Sequence, residues 1–222
     1  MIDQATRDHH IRQALRSKLV RQHAGDRDAF VVEELPIARG GARVDMAVIN
    51  GKIEGFEIKS SKDTLERLPR QMALFGGAMD RMTLIAAPKH LEEAVKIVPE
   101  WWSVFSAAVG TRGSVVLRRV RAGRMNPNRC PRACVNLLER DEIVSLLSSH
   151  SLDRGFRTAG WSDLAERAIE LLTPKAIAEG VRRQLKNRVI LEARFSRTAF
   201  GALAAGGGLD LDTDLGMQRL LG

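Results

Sequence analysis

Arg43-Val-Asp-Met-Ala-Val-Ile-Asn-Gly-Lys-Ile-Glu-Gly-Phe-Glu-Ile-Lys59, followed by the polar turn Ser60–Thr64 and a helical stretch carrying Gln71 and Phe75, is the segment whose reading decides the fold. Two apolar, β-branched runs flank Asn50-Gly51, a dipeptide that tolerates the positive φ of a chain reversal. A two-residue loop would pair Ile49 with Lys52 and scatter acidic residues over both faces. A three-residue loop, Asn50-Gly51-Lys52, pairs Ile49 with Ile53, Ala47 with Gly55 and Asp45 with Glu57. It also sets Met46 against Phe56 and Val44 against Ile58. A one-residue slip turns every side chain to the opposite face, so the three-residue loop is the expected register. It places Asp45, Glu57 and Lys59 on one face, because Lys59 follows Glu57 by two residues.

Two carboxylates and an ammonium on a sheet face are costly to desolvate. One reading is a buried ion pair that only fixes the fold. The other is a divalent-metal site. Mg²⁺ is hard and takes carboxylate and carbonyl oxygens, which Asp45, Glu57 and the Ile58 backbone carbonyl would supply. Lys59 would then orient or deprotonate an attacking water, or offset developing charge. Two bare carboxylates repel by roughly 4 kcal/mol at ~4 Å and an effective dielectric near 20, which favours an occupied site. In the preceding strand-like run, residues 30–37, alternation puts Glu33 and Glu34 on opposite faces. Glu34 is the candidate to join the metal ligands, with Glu33 left open.

Outward from this segment, residues 3–22 read as a helix with Ile11, Leu15 and Leu19 on one face and Arg7, Arg12 and Arg16 among a basic face. Asp63 and Glu66 resemble a capping box opening a helix toward Met79, with Pro69 either kinking it or marking its first turn. Residues 82–87 read as a buried strand, 88–97 as a helix and 114–120 as a last strand. Trp101-Trp102 read as packing residues, with base stacking as the alternative. Residues 122–132, rich in Gly, Asn, Pro and Arg, read as a linker. Helices are expected at 133–150, 162–172 and 174–192, the last weakened by Gly180. The basic run 182–188 is either a solvated face or a phosphate-contacting one. The organisation is thus a core at 1–121, a linker at 122–132, a helical extension at 133–205 and a tail at 206–222. The alternating aspartates 210, 212 and 214 lack the later Gly and Glu of a calcium loop.

The order helix, strand, Asp-bearing strand, Glu-x-Lys-bearing strand, helix, strand resembles the PD-(D/E)XK nuclease superfamily. Arg43-Val44-Asp45 stands for its Asp element, without the Pro, and Glu57-Ile58-Lys59 for its (D/E)-x-K element. Gln71 to Phe75 resembles a Q-x-x-x-Y element, with Phe in place of Tyr. The resemblance covers residues 1–120 and suggests an uncharacterised bacterial or phage branch with a helical C-terminal extension. It implies an α/β fold with a restriction-endonuclease-like αβββαβ core. It also implies a Mg²⁺-dependent endonuclease or nickase, with Mn²⁺ as a substitute, acting in DNA repair or in bacterial or phage defence. Asp45, Glu57, Lys59 and Gln71 would be catalytic, and Lys62, Arg67 and Arg70 would grip the phosphate backbone. The alternative is a catalytically inactive nucleic-acid-binding or structural subunit on such a core. A third reading is a toxin or defence component whose helices meet a partner protein.

The totals agree with a polyanionic partner. Of 222 residues, 35 are Lys or Arg and 27 Asp or Glu, a formal charge of +8. Such a balance favours polyanionic partners, nucleic acid first and an anionic membrane second; DNA is what the resemblance implies, with RNA left open. A homodimer or a partner protein bound through the C-terminal helices also remains open. Cys130 and Cys134 lack the second ligand pair of a zinc site and read as reduced thiols. With no signal-like segment at the N-terminus and no long uncharged apolar run, the expectation is a cytoplasmic protein without a membrane span.

Overall fold

The computed structural model describes residues 6–156 and 158–204, with side chains through Glu192. The expected tail at 206–222, including the alternating aspartates, lies outside the described residues.

A six-stranded mixed sheet forms the middle layer, its strands lying side by side in chain order. Strands β1 (Phe30–Ile37), β2 (Ala42–Ile49) and β3 (Ile53–Lys59) make an antiparallel meander. β4 (Arg81–Ala86) and β5 (Ser103–Val109) run parallel to β3, and β6 (Val115–Arg121) returns antiparallel. Helix α1 (Asp8–Gln22) lies on one face. Its Ile11, Leu15 and Leu19 pack against Met46, Val48, Phe56, Ile58 and Ile85. The four-residue apolar spacing makes this stripe.

The other face carries everything else. α2 (Leu68–Phe75) and α3 (Leu91–Ile97) connect β3 to β4 and β4 to β5, as parallel strands require crossovers. The helical part follows: α4 (Pro131–Val135), α5 (Arg140–Ser148), α6 (Trp161–Leu171) and α7 (Pro174–Ala204). Leu138, Leu146, Leu164 and Val181 share one apolar core with Val44, Ile49, Leu84 and Trp102 of the sheet side. The protein is therefore a mixed α/β structure whose C-terminal helices are packed into the core. Both tryptophans are buried there, Trp102 stacked near Phe75 at 6.4 Å.

The hairpin register is the expected one up to Met46 and Phe56, but the expected pairs Asp45–Glu57 and Val44–Ile58 do not form. Ile49 pairs with Ile53, Ala47 with Gly55 and Met46 with Phe56. The loop is Asn50-Gly51-Lys52: the Asn50 N–H donates to the Lys52 carbonyl at 3.0 Å, and the Lys52 N–H donates to Asn50 Oδ1 at 3.1 Å.

Several elements differ from expectation. β5 was not anticipated; it precedes β6 as a hairpin closed by Gly110 and Gly113. α2 begins at Leu68 with Pro69 in its first turn, and Asp63 caps no helix. Its carboxylate instead accepts from the Ser60 N–H and hydroxyl, tying the turn after β3. The single helix expected at 133–150 is two, because Glu139 and Glu142 form a capping box that starts α5 anew. α7 runs through Gly180, where a Cβ would lie 2.2 Å from Leu146 Cδ1. Gly180 thus lets α7 and α5 approach closely. Residues 122–132 form a strap bound to the core. Asn126 Nδ2 donates to the Gly76 and Met79 carbonyls at 2.6 and 2.8 Å, and Arg129 meets buried Asp80 at 2.5 Å.

Because Asn126 is buried and satisfies two carbonyls, Asn126→Ala is expected to cost about 2 kcal/mol, read as a lower urea midpoint. An unchanged midpoint would show that the strap contributes little.

Candidate functional site

Regular alternation fails at one place in the first two strands. Glu34 has φ +54°, a left-handed conformation unusual for a non-glycine residue. The β1–β2 pairing lacks the Glu34–Asp45 pair while its flanks stay in register, Glu33 with Met46 and Leu35 with Val44. Face assignment resets across this paired kink. Val48 and Met46 pack toward α1, whereas Val44 packs into the core on the opposite face with Ala47 and Ile49. Consequently Glu33 and Glu34 do not divide between the two faces as alternation predicts. Both reach arginines of α1: Glu33 meets Arg16 at 3.2 Å and Glu34 meets Arg12 at 2.9 Å.

Asp45 also turns to α1. Arg12 Nη2 donates to Asp45 Oδ1 at 3.1 Å, and Arg12 Nη1 donates to the Asp45 backbone carbonyl at 2.7 Å. Arg12 Nε reaches Asp8 Oδ1 at 3.3 Å. One guanidinium thus serves three carboxylates. Burial opposes its charge, but Asp8, Asp45 and Glu34 together hold its pKa above the ordinary value. The other oxygen of Asp45, Oδ2, accepts the Ile58 N–H at 2.6 Å. The β2–β3 pairing ends at Met46 and Phe56, so the carboxylate takes an amide that a continued ladder would have used. Burial raises the Asp45 pKa, against the Ile58 amide and Arg12, which lower it.

Glu57 is 2% exposed and belongs to a second cluster. Its Oε1 accepts from Lys59 Nζ at 2.7 Å and from Gln71 Nε2 at 2.5 Å, while Gln71 Oε1 accepts from the same Nζ at 2.9 Å. Gln71 therefore closes a triangle rather than pointing into open space. Glu57 Oε2 is buried without a hydrogen-bond partner. Burial, then Asp45, pushes the Glu57 carboxyl up to about 7, against Lys59 and Gln71.

A cleft of about 470 Å³ opens over these groups. Arg43, Arg67 and Arg70 line it, along with Asp8, Glu34, Asp45, Glu57, Lys59 and Gln71. Lys62 is exposed but does not line it. The chain thus brings together most of the expected residues: Asp45, Glu34, Glu57, Ile58, Lys59, Gln71, Arg67 and Arg70. Arg12 and Asp8 were not anticipated as part of it. Their i, i+4 spacing on a helix was the available signal.

Most of the oxygens expected to hold Mg²⁺ are engaged within the protein, Glu57 Oε2 being the exception. Both Asp45 oxygens, Glu34 Oε1 and Glu57 Oε1 already serve Arg12, an amide, Lys59 or Gln71. Among the described residues, no three His, Cys, Asp or Glu side chains converge to hold a metal ion. Ile58 contributes its N–H to Asp45.

Comparison with known proteins points elsewhere than the nuclease resemblance. The family model described as Bacteriophage P4 protein cII matches residues 1–198. Protein cII of Enterobacteria phage P4 is 29% identical over 161 residues, covering 72% of this chain. The chain spans 60% of that protein's length. No solved structure matches. These matches overturn the PD-(D/E)XK assignment and the reading of the chain as a metal-dependent nuclease in repair or defence, with its hydrolase and metal-binding labels. The D-x₁₁-E-x-K spacing that suggested it is short, and here Glu57 is paired with Lys59 while Asp45 is paired with Arg12. No helix among the described residues is long and apolar enough to cross a membrane.

Two outcomes test the paired cluster. Arg12→Met removes the cation from partly buried Asp45 and from half-exposed Asp8 and Glu34, and is expected to lower stability by roughly 1–3 kcal/mol; a neutral effect would show that the network is dispensable. The folded pKa of Glu57 lies above its ordinary value of 4.5. The stability it contributes is therefore fully present below pH 4.5 and lost as pH rises through about 7. Carboxyl NMR should give a Glu57 midpoint near 7, and a midpoint near 4.5 would contradict the burial argument.

Proposed function

Because the chain belongs to the bacteriophage P4 protein cII family, we propose a non-catalytic role for it: a DNA-binding protein whose buried charge cluster holds a basic surface in shape. The observation that carries this reading is the division of charge at the cleft. The carboxylates on its floor are committed to Arg12, Lys59, Gln71 and the Ile58 amide. The mouth carries Arg67 and Arg70, both exposed, together with Arg43. With Asp45 and Glu57 paired inside and Arg43 held by Glu34, Arg67 and Arg70 are the cations that face outward, and the formal charge of +8 has the same sign. Arginines in such positions contact phosphates and fix orientation without reading bases.

A restriction-endonuclease-like arrangement of the scaffold belongs to this proposal. Its support is the order α1, β1, β2, β3, α2, β4, with an antiparallel meander leading into a parallel crossover. The likeness concerns the framework and carries no activity.

The test is duplex-DNA binding by anisotropy across a salt series, with EDTA throughout. Affinity should fall linearly in log–log form, and Arg67→Gln with Arg70→Gln should reduce the slope by about 2, near 0.9 per phosphate contact. DNA should remain uncut when Mg²⁺ replaces EDTA. Absence of binding, or metal-dependent cutting, would contradict the proposal.

A further inference from the structure

A second charged concavity lies away from the cleft, between the β1–β2 side of the sheet and α7. Its volume is about 510 Å³. Arg27 and Phe30 stand on the sheet side, near the Asn50-Gly51 hairpin, and Arg182, Arg183 and Lys186 stand on α7. The α7 residues follow i, i+1 and i+4 spacing, so they lie on one side of the helix, with Lys186 about 6 Å along the axis beyond Arg182. Four cations meet two anions here, Asp28 and Glu179. Asp28 holds Lys186 at 2.6 Å, and the ammonium sits 6.0 Å from the Phe30 ring centre. Among the described residues Arg183 reaches a serine hydroxyl, that of Ser149, at 2.7 Å. A solvated helix face needs no opposing wall, whereas this side of α7 faces Arg27 across a groove.

We propose that this groove is a second nucleic-acid contact, gripping the phosphate backbone between Arg27 and the Arg182–Lys186 side of α7. The inference rests on the DNA-binding reading above and extends its footprint to a surface that the cleft does not include. Both walls supply cations and the groove is open to solvent, so its ligand is an extended polyanion. The contact is to phosphate and sequence-independent. Lys186, pinned by Asp28 over Phe30, sets the wall; Arg27, Arg182 and Arg183 make the contacts.

The experiment compares full-length protein with Arg182→Gln/Arg183→Gln and, separately, with Arg27→Gln. Glutamine keeps helix propensity close to that of arginine, and thermal melts monitored by circular dichroism confirm folding. The α7 pair should weaken duplex-DNA binding about tenfold or more at physiological salt and lower the log–log salt slope by about 2; Arg27→Gln should lower it by about 1. Folded groove variants with the affinity and slope of the unaltered protein overturn the groove assignment while the cleft reading stands, because the Arg67/Arg70 variants report on that separately. Unaltered protein that binds no DNA overturns both. If the α7 variant unfolds, Arg27→Gln, outside the helix, decides between these outcomes by its slope.

Discussion

Arg12 is the constraint on which the acidic half of the sheet depends. Its guanidinium lies against Asp8, Glu34 and Asp45 and reaches the Asp45 backbone. A planar fork with several fixed donors suits this better than an ammonium would. The pairing stabilises a local geometry that has a cost. Glu34 is held at positive φ, and β2 leaves the β3 ladder where the Asp45 carboxylate takes the Ile58 amide. The kink turns Glu34 and Asp45 toward α1, and Arg12 neutralises them there. Without that cation, carboxylates brought together at the kink would repel.

The second cluster is built on different elements. Lys59 and Glu57 come from β3, and Gln71 reaches them from α2. Each polar atom of Lys59 and Gln71 in this triangle is spent on a neighbour, which is the arrangement expected of buried polar groups. Glu57 Oε2 is the exception, and the raised Glu57 pKa is its electrostatic counterpart. Together the clusters turn a set of residues that looks catalytic in sequence into an internally paired seam between α1, the sheet and α2. Net positive charge is then displayed outward, at the cleft mouth and along α7.

Much of this was legible in the sequence. The hairpin register followed from the pairing of Ile49 with Ile53 and of Met46 with Phe56, since the alternative mixed charge into both faces. That Gln71 belongs beside Glu57 and Lys59 came from the resemblance, through its Q-x-x-x-Y element. The role of Arg12 did not, because it depends on a break in alternation at Glu34 and Asp45, and period-two reasoning assumes none. β5 escaped because Ser103-Val-Phe-Ser-Ala-Ala-Val lacks a clean alternation, and its pairing with β4 and β6 is a tertiary choice. The motif itself brought the expected residues together, but spacing does not reveal which partner each oxygen will take. Convergence was readable, whereas pairing was not.

The central claim is that this acidic cluster is closed by the protein's own cations and donors. A Mn²⁺ titration followed by electron paramagnetic resonance tests it most directly. The account predicts no saturable Mn²⁺ binding that depends on Asp45 or Glu57, so the unaltered protein and Asp45→Asn should titrate alike. Saturable binding in the unaltered protein that Asp45→Asn abolishes would contradict it.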